Sequence, residues 1–209
     1  MAELSSRSGT SVASIKYYLR EGLLAAGTAT GRNQAEYDEA HVKRLHLIRA
    51  LLDVGGLSIA AVRDVLSAVD TPNLDVNSLM GSAHRHLDRS ARTDRSDPRW
   101  QAARAEMLAL VQRRGWYVAD DSPSLDAAAD AVTAMHVLDQ SDLLALLDPY
   151  AQAAEAIAAT EISVVARRRE PARIVEGTVV GTIIGEALLN AIRRLAEQDA
   201  SVRQLNPKS

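Results

Sequence analysis

Gly9-Thr10-Ser11-Val12-Ala13-Ser14-Ile15-Lys16-Tyr17-Tyr18-Leu19-Arg20-Glu21-Gly22-Leu23-Leu24 joins a glycine turn to a short amphipathic segment. Val12, Ile15, Leu19 and Leu23 recur at helical spacing and pack inward against the segment around Leu4. Ala13, Ser14, Tyr17 and Arg20 project the other way, with Lys16 at the edge of the apolar stripe. Small residues on that face permit close approach, while hydroxyls and cations can bond phosphates or base edges of a duplex. Ser11 is the expected helix cap, Gly9 the turn between two helices and Gly22 the helix stop. Tyr18 lies nearer the packed side and is read as core.

Outward from this stretch the pattern continues in a fixed order. Residues 25 to 37 are poor in apolar side chains and rich in Gly, Thr, Asn and Gln, which suits a solvated loop or a hairpin wing. Asp38 caps a new helix, Glu39 adds negative charge to its first turn, and Leu45, Ile48, Leu51 and Leu52 form its core face. Gly55-Gly56 ends it, and Ser58 begins another helix with Ile59, Val62, Leu66 and Val69 on one face.

Helix, turn, helix, wing, helix, glycine break, helix is an order that resembles the winged helix-turn-helix DNA-binding domain of the MerR family of bacterial transcriptional regulators. Three pieces carry the resemblance: residues 11 to 24, above all Ile15-Lys16-Tyr17-Tyr18 and Arg20-Glu21-Gly22-Leu23-Leu24; Tyr37-Asp38-Glu39 with Val42, Arg44-Leu45 and Ile48-Arg49; and Gly56-Leu57-Ser58 leading into Val62. The resemblance implies that Lys16, Tyr17, Arg20 and Tyr37 contact the DNA backbone, joined by Ser11, Ser14, Arg32 and Gln34. Two departures matter. Ala13 stands where the family often has arginine, and Gln34-Ala35 precede Tyr37 where the family usually has tyrosine and arginine. Arg32 is then the wing cation.

Charge concentrates the requirement on that local surface. Residues 1 to 72 hold eight basic and eight acidic side chains, so the net charge of −3 arises wholly in the rest of the chain. A neutral head must bind through a cationic stripe around Lys16, Arg20 and Arg32, with modest and salt-sensitive affinity, and pairing two heads as a homodimer is the natural remedy. The chain has no cysteine, which excludes disulfides, iron–sulfur clusters and the thiolate metal sites of the family's metal and redox sensors. No apolar run is long enough for a signal or a membrane span, so a cytoplasmic protein is expected.

After Pro72 alanine and leucine dominate, and the expected fold is mainly α: a winged helix-turn-helix domain at residues 1–72, a dimerising helix and linker at 73–97, and an all-helical bundle at 98–209 for effector sensing and dimerisation. Proline and glycine mark helices from Pro98 to about Arg114, Ser124 to about Leu138, Ser141 to about Leu147, Pro149 to about Arg168 and Pro171 to about Gln198. Gly177, Gly181 and Gly185 fall on one ridge of the last, at a cost near 1 kcal/mol each relative to alanine, which argues for a close helix approach within the chain or between subunits. The family receives its signal in the C-terminal region. The candidates there to orient a small-molecule effector are Trp100, Trp116, Tyr150, His136 and Glu186, each with packing or a satisfied polar role as the simpler alternative.

No catalytic or cofactor-binding pattern is present. His84 and His86 point to nearly opposite helix faces, His41 and His46 are no better spaced for a metal, and Asp120-Asp121 lie in a turn where they cap a helix. HExxH, a phosphate-binding glycine loop and a G-x-S-x-G turn are all missing. The expected activity is therefore binding to double-stranded promoter DNA as a homodimer at a pseudo-palindromic site, with RNA polymerase as the partner implied by the family resemblance. The alternatives are a steric repressor of the same fold and a helical adaptor that binds no DNA.

Overall fold

The computed structural model describes residues 1–31, 34–71, 94–168 and 171–205. It divides into two compact units, one of Met1–Leu74 with Val179–Ser209 and one of Asp75–Thr178. The last helix, placed by the sequence reading with the C-terminal bundle, thus contributes most of its length to the first unit. Among the described residues, no helix is long and apolar enough to cross a membrane.

In the first unit, α1 (Ala2–Ser8) ends at Gly9, whose φ of 62° turns the chain through the left-handed region without steric cost. Three hydroxyl contacts tie down this turn. Ser8 Oγ donates to Leu4 O at 2.7 Å, Ser5 Oγ donates to Thr10 O at 2.7 Å, and Thr10 N donates to Ser8 Oγ at 3.3 Å. Helix α2 (Val12–Arg20) follows, capped as expected by Ser11, whose Oγ accepts from Ser14 N at 3.0 Å. Gly22, with φ 71°, then releases the chain from the helix.

The wing is a two-stranded antiparallel sheet. Strands β1 (Thr28–Gly31) and β2 (Gln34–Glu36) pair Thr28 with Glu36, Ala29 with Ala35 and Gly31 with Gln34. Helix α3 (Glu39–Arg49) starts at the Asp38 cap and passes into a π-helical turn, Ala50–Val54, where Gly55 N donates to Ala50 O. The sequence predicts one helix running to Gly55. The wider turn closes the element instead, and Leu51 remains fully buried within it. Helix α4 (Ile59–Asp70) is capped by Ser58 as expected. Leu4, Ile15, Leu23, Leu45, Ile48, Leu51, Val62, Val65 and Leu66 make the core of the unit.

The second unit contains α5 (Pro98–Arg114), α6 (Pro123–Val137), a 3-10 turn (Ser141–Leu146) and α7 (Leu147–Ala166). Asp97 caps α5 ahead of Pro98, and Gly115 closes it in the left-handed conformation. Ala103, Met107, Leu110, Leu125, Val132 and Ala151 form its core. Helix α8 runs Pro171–Leu205, beyond the expected end at Gln198, because Asp199, Val202 and Arg203 continue the helix and Arg203 Nε pairs with Asp199 Oδ1 at 3.0 Å.

Two expectations are narrowed. Within the chain no helix backbone lies at Gly177 or Gly181, since a Cβ on Gly181 would meet open space and one on Gly177 would meet the Arg168 guanidinium, and the alternative of an approach between subunits stands. Asp120 and Asp121 do not cap α6, whose N-cap is Ser122 with no side-chain cap bond. The dimerising helix expected over 74–91, with His84 and His86, lies outside the described residues.

Candidate nucleic-acid interface

Helix α2 is anchored on one side and free on the other. Ile15 is fully buried and Tyr18 is 9% exposed, so the inward stripe is set by these two, with Val12 and Leu19 half-buried beside them. Burial pushes the Tyr18 phenol above its ordinary pKa, and the nearby Asp53 carboxylate adds to the shift. Lys16, Arg20, Ala13 and Ser11 are exposed, while Ser14 and Tyr17 are half-buried at the margin. The polar face expected from the sequence is therefore assembled on nine helical residues, about 13 Å of rod and well matched to a major groove.

Tyr17 has two neighbours at its ring. Its ring lies 6.0 Å from that of Tyr18 in a tilted arrangement, and the Arg20 guanidinium carbon sits 5.9 Å from its centroid. This cation–π contact leaves Arg20 charged and outward. Ser11 Oγ and Ser14 Oγ, 2.8 Å apart, are linked at the start of the helix.

The charge pattern of the head is uneven in a useful way. Arg7, Arg44, Arg49 and Arg63 are each paired with a carboxylate, on Glu39, Asp70, Asp53 and Glu21 respectively. Lys16 and Arg20 have no carboxylate partner among the described residues. Lys43 on α3 is likewise without one, so two of the three such side chains described in residues 1–71 stand on the exposed side of α2, where a phosphate can take the place of the missing partner.

Three of the paired arginines also hold the main chain around α2. Arg49 Nη1 donates to Gly9 O at 3.1 Å, Arg63 Nε to Glu21 O at 3.1 Å, and Arg44 Nε to Leu23 O at 3.0 Å. Arg63 reaches the Glu21 carboxylate as well, at 2.6 Å, and Arg44 binds both oxygens of Asp70 at 2.9 and 2.6 Å. The turn before α2 and its exit are thereby tied to α3 and α4. Sequence reasoning noticed Arg44 and Arg49 only as part of a family pattern and did not single out Arg63, because partners 21 to 42 residues away leave no local periodicity to read.

In the wing, Tyr37 is half-buried with its ring edge-on to His41 at 5.1 Å, directly before the Asp38 cap of α3. His41 N donates to Asp38 Oδ1 at 3.1 Å, and the hydrogen bonds from the His41 side chain and backbone hold the Asp38 carboxyl below its ordinary pKa. Gly27 lets the hairpin pass: a Cβ there would collide with the Glu36 carbonyl and crowd the Tyr37 ring. Gln34 opens β2, and Arg32 lies outside the described residues.

Each of the effector candidates has its own surroundings. In the helical unit, Trp100 is 5% exposed and donates Nε1 to Asp130 at 2.8 Å, and Trp116 donates Nε1 to Glu155 at 2.8 Å. His136 is exposed, its Nδ1 3.0 Å from Ser141 Oγ and its Nε2 3.6 Å from Glu106, and Tyr150 is 50% exposed. Glu186 belongs to the other unit, where it is exposed on α8.

Comparison with known proteins agrees with the geometry of the head and extends past it. Residues 1–69 match the family of MerR HTH regulatory proteins. The nodulation protein NolA of Bradyrhizobium elkanii is 32% identical over 89 residues, a match that takes in 43% of this chain and spans 37% of NolA's own length. The crystal structure of SCO5550 from Streptomyces coelicolor A3(2), a protein assigned as a transcriptional regulator, superposes with a TM-score of 0.74 at 35% identity, covering all of this chain and 98% of that one.

Proposed function

Because the chain belongs to the MerR family of transcriptional regulators, we propose that it binds promoter DNA as a homodimer and changes transcription in response to a small molecule held by its helical region. The observation that carries this reading is the polar face of α2, whose Lys16 and Arg20, without a carboxylate partner among the described residues, stand outward on a helix rooted by Ile15 and Tyr18. Each head offers one half-site. A pseudo-palindromic operator then places two recognition helices in successive major grooves, with Tyr37 and the wing against flanking phosphates.

Activation would follow if the bound dimer twists or bends an over-long promoter spacer so that RNA polymerase can use it, with the ligand shifting the population of the active form. Footprinting on the promoter region of the chain's own gene tests this. Two protected half-sites one helical turn apart, inside a long spacer, are the expected result. Protection that covers a spacer of ordinary length identifies the protein as a steric repressor, and no protected site at all refutes DNA recognition.

A further inference from the structure

A cleft of about 510 Å3 opens beside α5, lined by Trp100, Arg104, Leu108, Asp120, Asp121 and Asp126, with Arg95 at its edge. Asp126 is the organising group. Its side chain is only 13% exposed and carries two guanidiniums, with Arg104 Nε on Oδ1 at 3.1 Å and Arg95 Nη2 on Oδ2 at 2.8 Å. The two arginines are held differently. Arg104 is 25% exposed and also donates to the Asp120 carbonyl, so it is built into the wall. Arg95 extends from the turn ahead of α5, remains 64% exposed, and lays its guanidinium carbon 5.8 Å from the centre of the Trp100 ring.

We propose that this cleft binds a small organic cation with a flat apolar body, of the amidine or amine class, and that Arg95 occupies the cation's place until such a ligand displaces it. The charge balance favours that class. Three carboxylates face two guanidiniums here, and withdrawing Arg95 leaves two negative charges unbalanced beside an aromatic face. The side chains of Asp120 and Asp121 make no ion pair among the described residues, so an anion entering the cleft would meet bare carboxylates. The exchange favours the ligand by what each occupant covers. Arg95 stays 64% exposed in its pair with Asp126, whereas a ligand brings its own cation to Asp126 and Trp100 and also covers Leu108 and Ala105, which line the cleft. Trp100 keeps its ring in position for either occupant because Asp130 holds its indole nitrogen.

The inference rests on the reading of the helical region as a ligand receiver, and its test uses no DNA, so failure here leaves the DNA-binding reading standing. Full-length protein is titrated calorimetrically with benzamidine and with benzamide, which share a shape and differ in charge. Benzamidine binds, and benzamide binds roughly tenfold or more weakly, since only the amidinium pairs with a carboxylate. Arg95→Ala tightens benzamidine about threefold or more by removing the internal competitor, and Asp126→Asn weakens it about tenfold. Equal binding of the two probes, no binding of benzamidine, or an Arg95→Ala affinity that is unchanged or lower overturns the proposal. Should Asp126→Asn fail to fold, Arg95→Ala still decides, because that side chain sits on an exposed turn outside the helices.

Discussion

In the head, Arg49, Arg63 and Arg44 each reach a main-chain carbonyl, at Gly9, Glu21 and Leu23, whereas Trp100 and Trp116 of the helical unit each donate to a side-chain carboxylate, at Asp130 and Glu155. The first arrangement fixes the path of a backbone and so aims a helix. The second fixes the orientation of aromatic rings. A carbonyl cannot be removed by substitution or protonation, so the geometry that presents α2 is hard to disturb from the acceptor side; a carboxylate can be neutralised by either route, and the aromatic positions of the helical unit are correspondingly adjustable.

Substitutions can break or sharpen that contrast. The largest effect is expected at Ile15, the fully buried root of α2: Ile15→Ala costs about 2–5 kcal/mol of stability, seen as a lower denaturation midpoint together with loss of operator binding. An unchanged midpoint would show that the arginine ties alone hold the helix. Next comes Asp130→Ala, which strands the buried indole N–H of Trp100 and costs about 1–3 kcal/mol, with altered near-UV dichroism and no change in operator affinity for the folded protein. If operator affinity fell in step with the dichroism, aromatic order and DNA presentation would be coupled.

Ser11→Ala removes the cap of α2 and is expected to cost about 1 kcal/mol by chemical denaturation. Lys16→Ala is expected to change stability by no more than about 0.5 kcal/mol while flattening the salt dependence of DNA binding by about one unit of slope. An unaltered slope would contradict a phosphate contact. The smallest effect is at Asp38. Its pKa is lowered in the folded chain by the His41 hydrogen bonds, so the cap stabilises fully above the ordinary carboxylate range and is lost only as pH falls through the lowered value. A carboxyl titration followed by NMR should find its midpoint below that of exposed aspartates, and a midpoint at the ordinary value would mean that the capping box opens in solution.

The local grammar of the chain was readable because the signals are short-range. Ser11, Asp38, Ser58 and Pro98 stand at real helix starts, and Gly9, Gly22 and Gly115 stand at real stops. The exposed polar face of α2 followed from the same periodicity that buried Ile15. What escaped was carried by partners far apart in the chain: the reach of Arg63 to Glu21, the holding of Trp100 by Asp130, and the meeting of two guanidiniums at Asp126. The π-helical turn at Ala50–Val54 escaped for another reason, since its widening shifts hydrogen bonds without altering the apolar pattern.

One contact in the first unit bears on how the protein is made. Gly55 lies so close to the last helix that an added Cβ would stand 2.5 Å from Ile183 Cγ2, and Ile183 itself is almost wholly buried. A ribosome completes Ile183 only after more than a hundred further residues beyond Leu74. At about 5–20 residues per second the head waits on the order of 5–20 s with that flank uncovered. The head is therefore synthesised ahead of the helical unit yet completed after it, and a nascent chain interrupted before Ile183 would display a reading head that lacks its closing piece.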